Sequence, residues 1–130
     1  MVDEIIDGRG NRIFTSRLTL VELTSVAAIK VRTGAMTAEA AGKSLSTVAE
    51  CHKSRQFIAH GVVQEDYDRA QLLLNRHAQQ NRLRTLDSLQ LASAIRWRAK
   101  SGIDFFVTAD RALAGVAVLE GFAILIPEDV

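Results

Sequence analysis

Short apolar runs alternate with longer stretches of helical spacing along the chain. After a short apolar run at residues 12–16, Leu20, Leu23, Ala27 and Val31 recur at the spacing of one helix face. The runs are short and lack strict alternation, which is typical of parallel strands buried on both faces. The predicted strands are residues 12–16, 57–63, 104–108 and 122–126. The predicted helices are residues 18–33, 38–52, 65–76, a helix after Thr85 that runs to about residue 99, and 111–119. This order predicts an α/β fold, a three-layer α/β/α sandwich with a parallel sheet, in one domain over residues 1–130.

Cap residues sharpen several of the predicted helix ends. Thr19 with Glu22 forms a capping-box pattern, so the first helix is predicted to begin at Thr19. Thr37 and Thr85 are predicted to cap the second and fourth helices. Gly34 and Gly121 are predicted to end the helices that precede them.

The composition is that of a globular protein without membrane segments. The chain has 130 residues, of which 48% are hydrophobic and 24% charged. A lone cysteine, Cys51, excludes an internal disulfide and suits a reducing compartment. No signal-peptide pattern opens the chain, and no apolar stretch approaches the roughly 20 residues of a membrane span. We therefore expect a cytoplasmic protein with no membrane association.

The net charge of +1 conceals a strongly basic region. Residues 76–100 contain six basic residues and one acid, Asp87. Such a region is compatible with a phosphate backbone as partner, and Arg82 and Arg84 are its candidate RNA contacts. A solvated helix face has the same composition, so the charge alone leaves both interpretations open.

Three acids stand at the starts of predicted elements. Asp110 follows the apolar run 104–108, Asp87 lies in the first turn of the helix after Thr85, and Glu22 lies near the head of the first helix. Ligands of open α/β sheets bind beyond the carboxyl ends of the strands, where these acids could converge. Converging carboxylates need a hard cation such as Mg²⁺ or Mn²⁺, which can activate water against a phosphodiester. Each acid alone could equally be a helix cap or a partner of the helix dipole.

Other patterns indicate no further chemistry. The chain has no P-loop, no CxxC and no HExxH motif. His60 and His77 have no partner at metal-ligand spacing and are interpreted as structural or exposed. Ser88 and Ser93 are predicted to be packing residues.

Three segments together resemble the PIN-domain family, and most closely the VapC-like toxins of bacterial toxin–antitoxin pairs. They are residues 16–22 (SRLTLVE), 83–92 (LRTLDSLQLA) and 106–110 (FVTAD), in the family's order and spacing. The resemblance runs from about Ile13 to Pro127. It implies a metal-dependent ribonuclease in which Glu22, Asp87 and Asp110 match acids that ligate Mg²⁺ or Mn²⁺. Thr108 matches a supporting hydroxyl position, and the implied partners are RNA, a cognate antitoxin and a second copy of the chain.

The chain departs from that family at its beginning. The family opens with an apolar strand that ends in Asp followed by Ser or Thr, whereas Asp3 is followed by Glu4. Only eleven residues precede the strand at Arg12, and a βαβ unit needs about 30 residues. Residues 3–7 are therefore interpreted as the tail of the helix that follows the opening strand in the family, and that first strand is expected to be missing. Activity is then expected to be impaired, because the missing strand carries a fourth acid.

Two further functions remain alternatives. A non-catalytic PIN remnant could dimerise or bind an antitoxin helix in an apolar groove, and metal binding discriminates it from the nuclease. A phosphate-accepting receiver domain would need a lysine after the last strand, and residues 126–128 supply none.

Overall fold

The computed structural model describes residues 12–54 and 57–127, which fall into two compact units divided after Gly61. The prediction of one domain over residues 1–130 stays a prediction. The expected helix tail at residues 3–7 lies outside the described residues.

The N-terminal unit consists of two parallel strands and a helical hairpin. Strand β1 (Ile13–Ser16) leads into helix α1 (Arg17–Arg32), which is followed by α2 (Ala38–Lys53) and β2 (Phe57–His60). The strands pair in parallel, with Ile13 opposite Phe57. Gly34 makes the turn after α1 with φ +80°, a value that side chains with a Cβ rarely adopt.

The C-terminal unit alternates helices with two shorter strands. Helices α3 (Gln64–His77) and α4 (Thr85–Ser101) come first, followed by β3 (Phe106–Val107), α5 (Arg111–Leu119) and β4 (Ile124–Leu125). Strands β3 and β4 pair in parallel. The crossover through α5 is the short helical connection that parallel strands require.

The main hydrophobic core lies in the C-terminal unit. Leu91 and Ala92 of α4 and Val116 and Ala117 of α5 are completely buried. Leu83, just before α4, belongs to the same cluster and is 7% exposed. The remaining members are Ala70, Leu73, Ile95, Leu113 and Phe122.

The fold class is confirmed. The chain is a mostly helical α/β protein with short parallel strands, consistent with a PIN-like α/β/α fold. The structure also confirms Thr37 as a cap, whose hydroxyl accepts from the Ala40 amide at 3.1 Å. Helix α5 has the predicted bounds.

Two cap predictions were wrong. Helix α1 begins at Arg17 because Ser16, not Thr19, is its cap and accepts from the Leu18 amide at 3.1 Å. Helix α4 begins at Thr85 itself, with Arg84 in the cap position. In both cases the last residue with an extended backbone, Ser16 or Arg84, lies earlier than the threonine that the sequence pattern favoured as a cap. The helix therefore begins earlier than predicted. Among the described helices, none is both long and apolar enough to cross a membrane.

Candidate metal and nucleic-acid site

Asp110 is held at the start of α5 by its own side chain. Its Oδ1 accepts hydrogen bonds from the amides of Ala112 at 2.9 Å and Leu113 at 3.1 Å. These are amides that a helix N-terminus otherwise leaves without partners. One oxygen of Asp110 is therefore committed to the helix, and the orientation of the carboxylate is fixed.

The residues around Asp110 hold its backbone and face its second oxygen. Thr108 accepts a hydrogen bond from the Asp110 amide at 3.1 Å, and its own amide donates to the Leu125 carbonyl in β4. Arg82 approaches the other side, with its Nη2 3.7 Å from Asp110 Oδ2. The side chain of Asp110 is 29% exposed, so Oδ2 lies in a partly open, positively biased environment.

Asp87 is in the first turn of α4, as the sequence predicts. Its Oδ2 accepts from the Arg84 amide at 3.3 Å, and the side chain is half-buried. Asp87 thus accepts from the amide of the cap residue, whereas Asp110 is itself the cap of α5. Both aspartates thus have a structural role that does not use the whole carboxylate.

Glu22 lies in the N-terminal unit, half-buried on α1. The predicted convergence of Glu22 with Asp87 and Asp110 therefore concerns two separate units and stays a prediction. Within residues 12–54 and 57–127, no three side chains of His, Cys, Asp or Glu form a cluster that could hold a metal ion.

The donors present fit Mg²⁺ or Mn²⁺ better than other metals. Asp87, Asp110 and Thr108 offer oxygen atoms, which suit hard cations and not metals that prefer sulfur or imidazole. Mg²⁺ keeps several waters and is commonly held by one or two carboxylates together with substrate phosphates. A site of this kind does not need a preformed cage of three or more protein ligands.

Arg82 and Arg84 are both exposed, as predicted for phosphate contacts. Between them, Leu83 is buried in the core. The Asn81 side chain donates to the carbonyl of His77 at 3.2 Å. The segment between α3 and α4 therefore has an anchored backbone that presents two guanidinium groups to solvent.

The sequence interpretation missed a buried ion pair between α3 and α4. Arg96 donates from Nε to Asp66 Oδ1 at 2.9 Å and from Nη2 to Oδ2 at 3.0 Å. The Ser93 hydroxyl and the Val63 amide also donate to Oδ2. Asp66 is completely buried. The available signal was Arg96 itself, which follows Ala92 and Ser93 on the buried face of α4 and must have an acid partner there.

A second cluster joins the end of α3 to the end of α5. Glu120 receives two hydrogen bonds from Arg76, at 2.8 and 2.9 Å, and lies 2.6 Å from Nε2 of His77. Burial by itself raises the pKa of Glu120, but the hydrogen bonds from His77 and Arg76 lower it below its usual 4.5. His77 is 6% exposed and contacts Glu120, so of the two roles predicted for it, structural or exposed, the structural one holds.

Comparison with known proteins decides the family. The model of the PIN domain matches residues 2–119. The chain belongs to the PIN domain family. PIN domains have a nuclease-type function, generally depend on a divalent metal, and bind RNA where they are nucleases. No curated protein and no solved structure is significantly similar to this PIN domain.

Proposed function

We propose that this PIN domain is a ribonuclease that depends on Mg²⁺ or Mn²⁺ and uses Asp110, Asp87 and Glu22 as its acids. The observation that carries the proposal is the divided role of Asp110. Oδ1 caps α5, whereas Oδ2 lies 3.7 Å from Arg82 Nη2, on a side chain that is 29% exposed and follows β3 in the chain. Ligand sites of parallel α/β sheets lie at the carboxyl ends of the strands.

The surrounding residues position the acid and the substrate. Thr108 holds the backbone of Asp110, and the first turn of α5 fixes the direction of its carboxylate, so that the acid is positioned before it binds. The exposed guanidinium groups of Arg82 and Arg84 suit the phosphates of RNA. The bound cation supplies the activation of water and the stabilisation of negative charge on the phosphodiester.

The finer role that we propose is that of the toxin in a bacterial toxin–antitoxin pair, acting in the cytoplasm. Support comes from the three sequence segments that resemble VapC-like toxins together with the family match. Arg76 and Arg96 of the basic region 76–100 are paired with acids inside the C-terminal unit. The support for RNA therefore comes from the exposed Arg82 and Arg84.

A ribonuclease assay with Mn²⁺ and matched variants tests the proposal. Asp110→Asn should abolish cleavage yet keep α5, because asparagine caps helices as well as aspartate does. Asp87→Asn should also abolish it. Asp104→Asn removes an exposed acid on the approach to β3 and should leave the rate unchanged.

Cleavage that survives both Asp87→Asn and Asp110→Asn would overturn the assignment of these acids. The specific activity of the wild-type chain also tests whether activity is impaired, which stays a prediction. Circular dichroism of each variant shows whether a loss of activity comes from unfolding.

A second candidate function, as a module that forms a dimer, is supported by the helical hairpin of the N-terminal unit. Helix α1 has no buried residue, and Val21, Val26 and Ile29 are 66%, 46% and 43% exposed. Beside these residues, an open groove of about 140 Å³ lies between α1 and α2. We call this the hairpin groove; it is lined by Leu23, Val26, Ala27, Lys30, Met36, Ser44, Leu45 and Val48.

We propose that a second copy of the chain covers the hairpin groove. A symmetric pair would bury the same apolar residues on both copies, and exposed apolar faces of this kind commonly mark interfaces. Light scattering should give the mass of a dimer, and Val26→Glu should give the mass of a monomer. Ser25→Glu adds the same charge to the neighbouring exposed position and should leave the dimer intact. A monomeric wild type would overturn the dimer and leave an antitoxin as the partner to test.

A further inference from the structure

We propose that Arg82 is an exchangeable counter-ion of Asp110, which pairs with Oδ2 in the metal-free protein and transfers to an RNA phosphate when a divalent cation takes that oxygen. The inference rests on the proposed function and assigns a role in it to a residue outside the set of acids. It predicts that removing Arg82 strengthens metal binding and weakens RNA binding.

Only one oxygen of the Asp110 carboxylate, Oδ2, remains for a cation. Oδ1 already accepts from two backbone amides of α5, at 2.9 and 3.1 Å. Giving up both bonds would leave these two amides without their cap. A metal ion that binds Asp110 therefore approaches Oδ2.

Arg82 already faces that oxygen without being fixed to it. The distance of 3.7 Å from Nη2 to Oδ2 exceeds the range of a hydrogen bond, so the attraction is one of charge. The Arg82 side chain is 66% exposed. Such a pair is easily separated, yet its positive charge opposes the arrival of a second cation at the same oxygen.

The backbone of Arg82 is anchored even though its side chain is exposed. Leu83 is 7% exposed in the core, and Asn81 is bonded to the end of α3. The guanidinium can therefore leave Asp110 by side-chain rotation alone. A guanidinium released beside a metal site is well suited to a phosphate, which it can bind through two parallel hydrogen bonds.

Isothermal titration with Mn²⁺ alone, at low ionic strength, tests the competition. An exposed ion pair is worth about 0.2–1 kcal/mol, so Arg82→Gln should bind Mn²⁺ up to about fivefold more tightly than the wild type. Arg84→Gln is the matched control, since it removes the same charge from the same segment. Arg84 makes no ion pair within the described ranges 12–54 and 57–127, and its variant should show a smaller gain. At about 0.5 M salt the difference should shrink, because screening weakens the pair.

Fluorescence anisotropy with a 2′-O-methyl oligoribonucleotide, which resists cleavage, tests the transfer to phosphate. Mn²⁺ should increase the affinity of the wild type for this RNA more than that of Arg82→Gln. The reason is that the metal releases a guanidinium only in the wild type, and such coupling between two ligands is reciprocal. Arg84→Gln should keep the full Mn²⁺ effect. The salt dependence of RNA binding should fall by about 0.7 in slope for Arg82→Gln, as expected for one lost phosphate contact.

The outcomes separate the inference from the function beneath it. A wild type that binds no Mn²⁺ at all overturns the proposed function, and the role of Arg82 falls with it. A wild type that binds Mn²⁺ as tightly as Arg82→Gln overturns the role of Arg82 alone. Equal enhancement of RNA binding by Mn²⁺ in the wild type and in Arg82→Gln also overturns it.

Discussion

The C-terminal unit contains two pairs of aspartate and arginine that have different roles. Asp66 and Arg96 are joined by two short hydrogen bonds, and the carboxylate is completely buried with two further donors. In the second pair, Arg82 Nη2 is 3.7 Å from Asp110 Oδ2, and both side chains are partly exposed to solvent. The first pair fixes how α3 and α4 pack, whereas the second leaves a carboxylate oxygen accessible to another ligand.

The difference shows that an acid in a helix's first turn does not reveal its use by position alone. Asp66, Asp87 and Asp110 all lie at helix starts. What separates them is the number of donors that the fold brings to the second oxygen. A fully satisfied carboxylate is part of the architecture, and a partly satisfied one is available for chemistry.

The largest expected effect comes from removing the buried carboxylate charge. Asp66→Asn leaves Arg96 largely buried without its counter-charge and should lower the free energy of unfolding by about 3–5 kcal/mol. Urea denaturation measures this change. Asp68→Asn, at an exposed position of the same helix, should change it by less than about 0.5 kcal/mol. Similar losses in the two variants would show that Asp66 contributes only a surface charge.

Acid should weaken the fold through the same carboxylate. Burial by itself raises the pKa of Asp66, but the hydrogen bonds from Arg96 and from the Val63 amide, with the charge of Arg96, bring it below its usual 3.8. A carboxyl group whose pKa is lower in the folded state stabilises the fold above the unfolded pKa. That contribution is lost as pH falls through the folded value.

The stability advantage of the wild type over Asp66→Asn should therefore be constant near neutral pH and shrink below about pH 4. Urea denaturation in steps from pH 7 to pH 3 gives the comparison. An advantage that stays constant down to pH 3 would contradict the depressed pKa.

The smallest expected effect on stability belongs to the exposed pair. Arg82→Gln should lower the free energy of unfolding by at most about 1 kcal/mol, because an exposed ion pair contributes little. Arg96→Gln should cost several times more, since it leaves Asp66 buried with its charge partner gone. Thermal denaturation of both variants at one pH sharpens the contrast between the pairs. Equal costs would mean that Arg82 is held as firmly as Arg96.

Much of the fold could be predicted because helices depend on local pattern. The spacing of Ala70 and Leu73 predicts the buried face of α3, and Asp110 is the cap that its position indicates. Strand ends were harder: residues 104–108 and 122–126 shorten to Phe106–Val107 and Ile124–Leu125. Strand length is set by pairing with a neighbour that is distant in sequence, which a local apolar run does not encode.

The candidate site could be predicted only as far as single residues. Asp87 and Asp110 lie where the pattern places them, and Arg82 and Arg84 are exposed as expected. The contact of Arg82 with Asp110 spans 28 positions in the sequence and depends on how α5 packs beside the segment before α4. The partners of Asp66 and Glu120 were missed for the same reason, because each lies on a different element.

Asp110 caps α5 and is also proposed to bind a cation, and this combination affects which mutations the protein can tolerate. Aspartate and asparagine codons differ by one base, and either residue caps a helix equally well. A single point mutation at this codon therefore deletes the outward-facing negative charge while α5 keeps its cap. The product would be a folded, catalytically silent protein that still offers its hairpin groove to a partner. Under the proposed toxin function, this single change would convert a nuclease into an inactive binding protein.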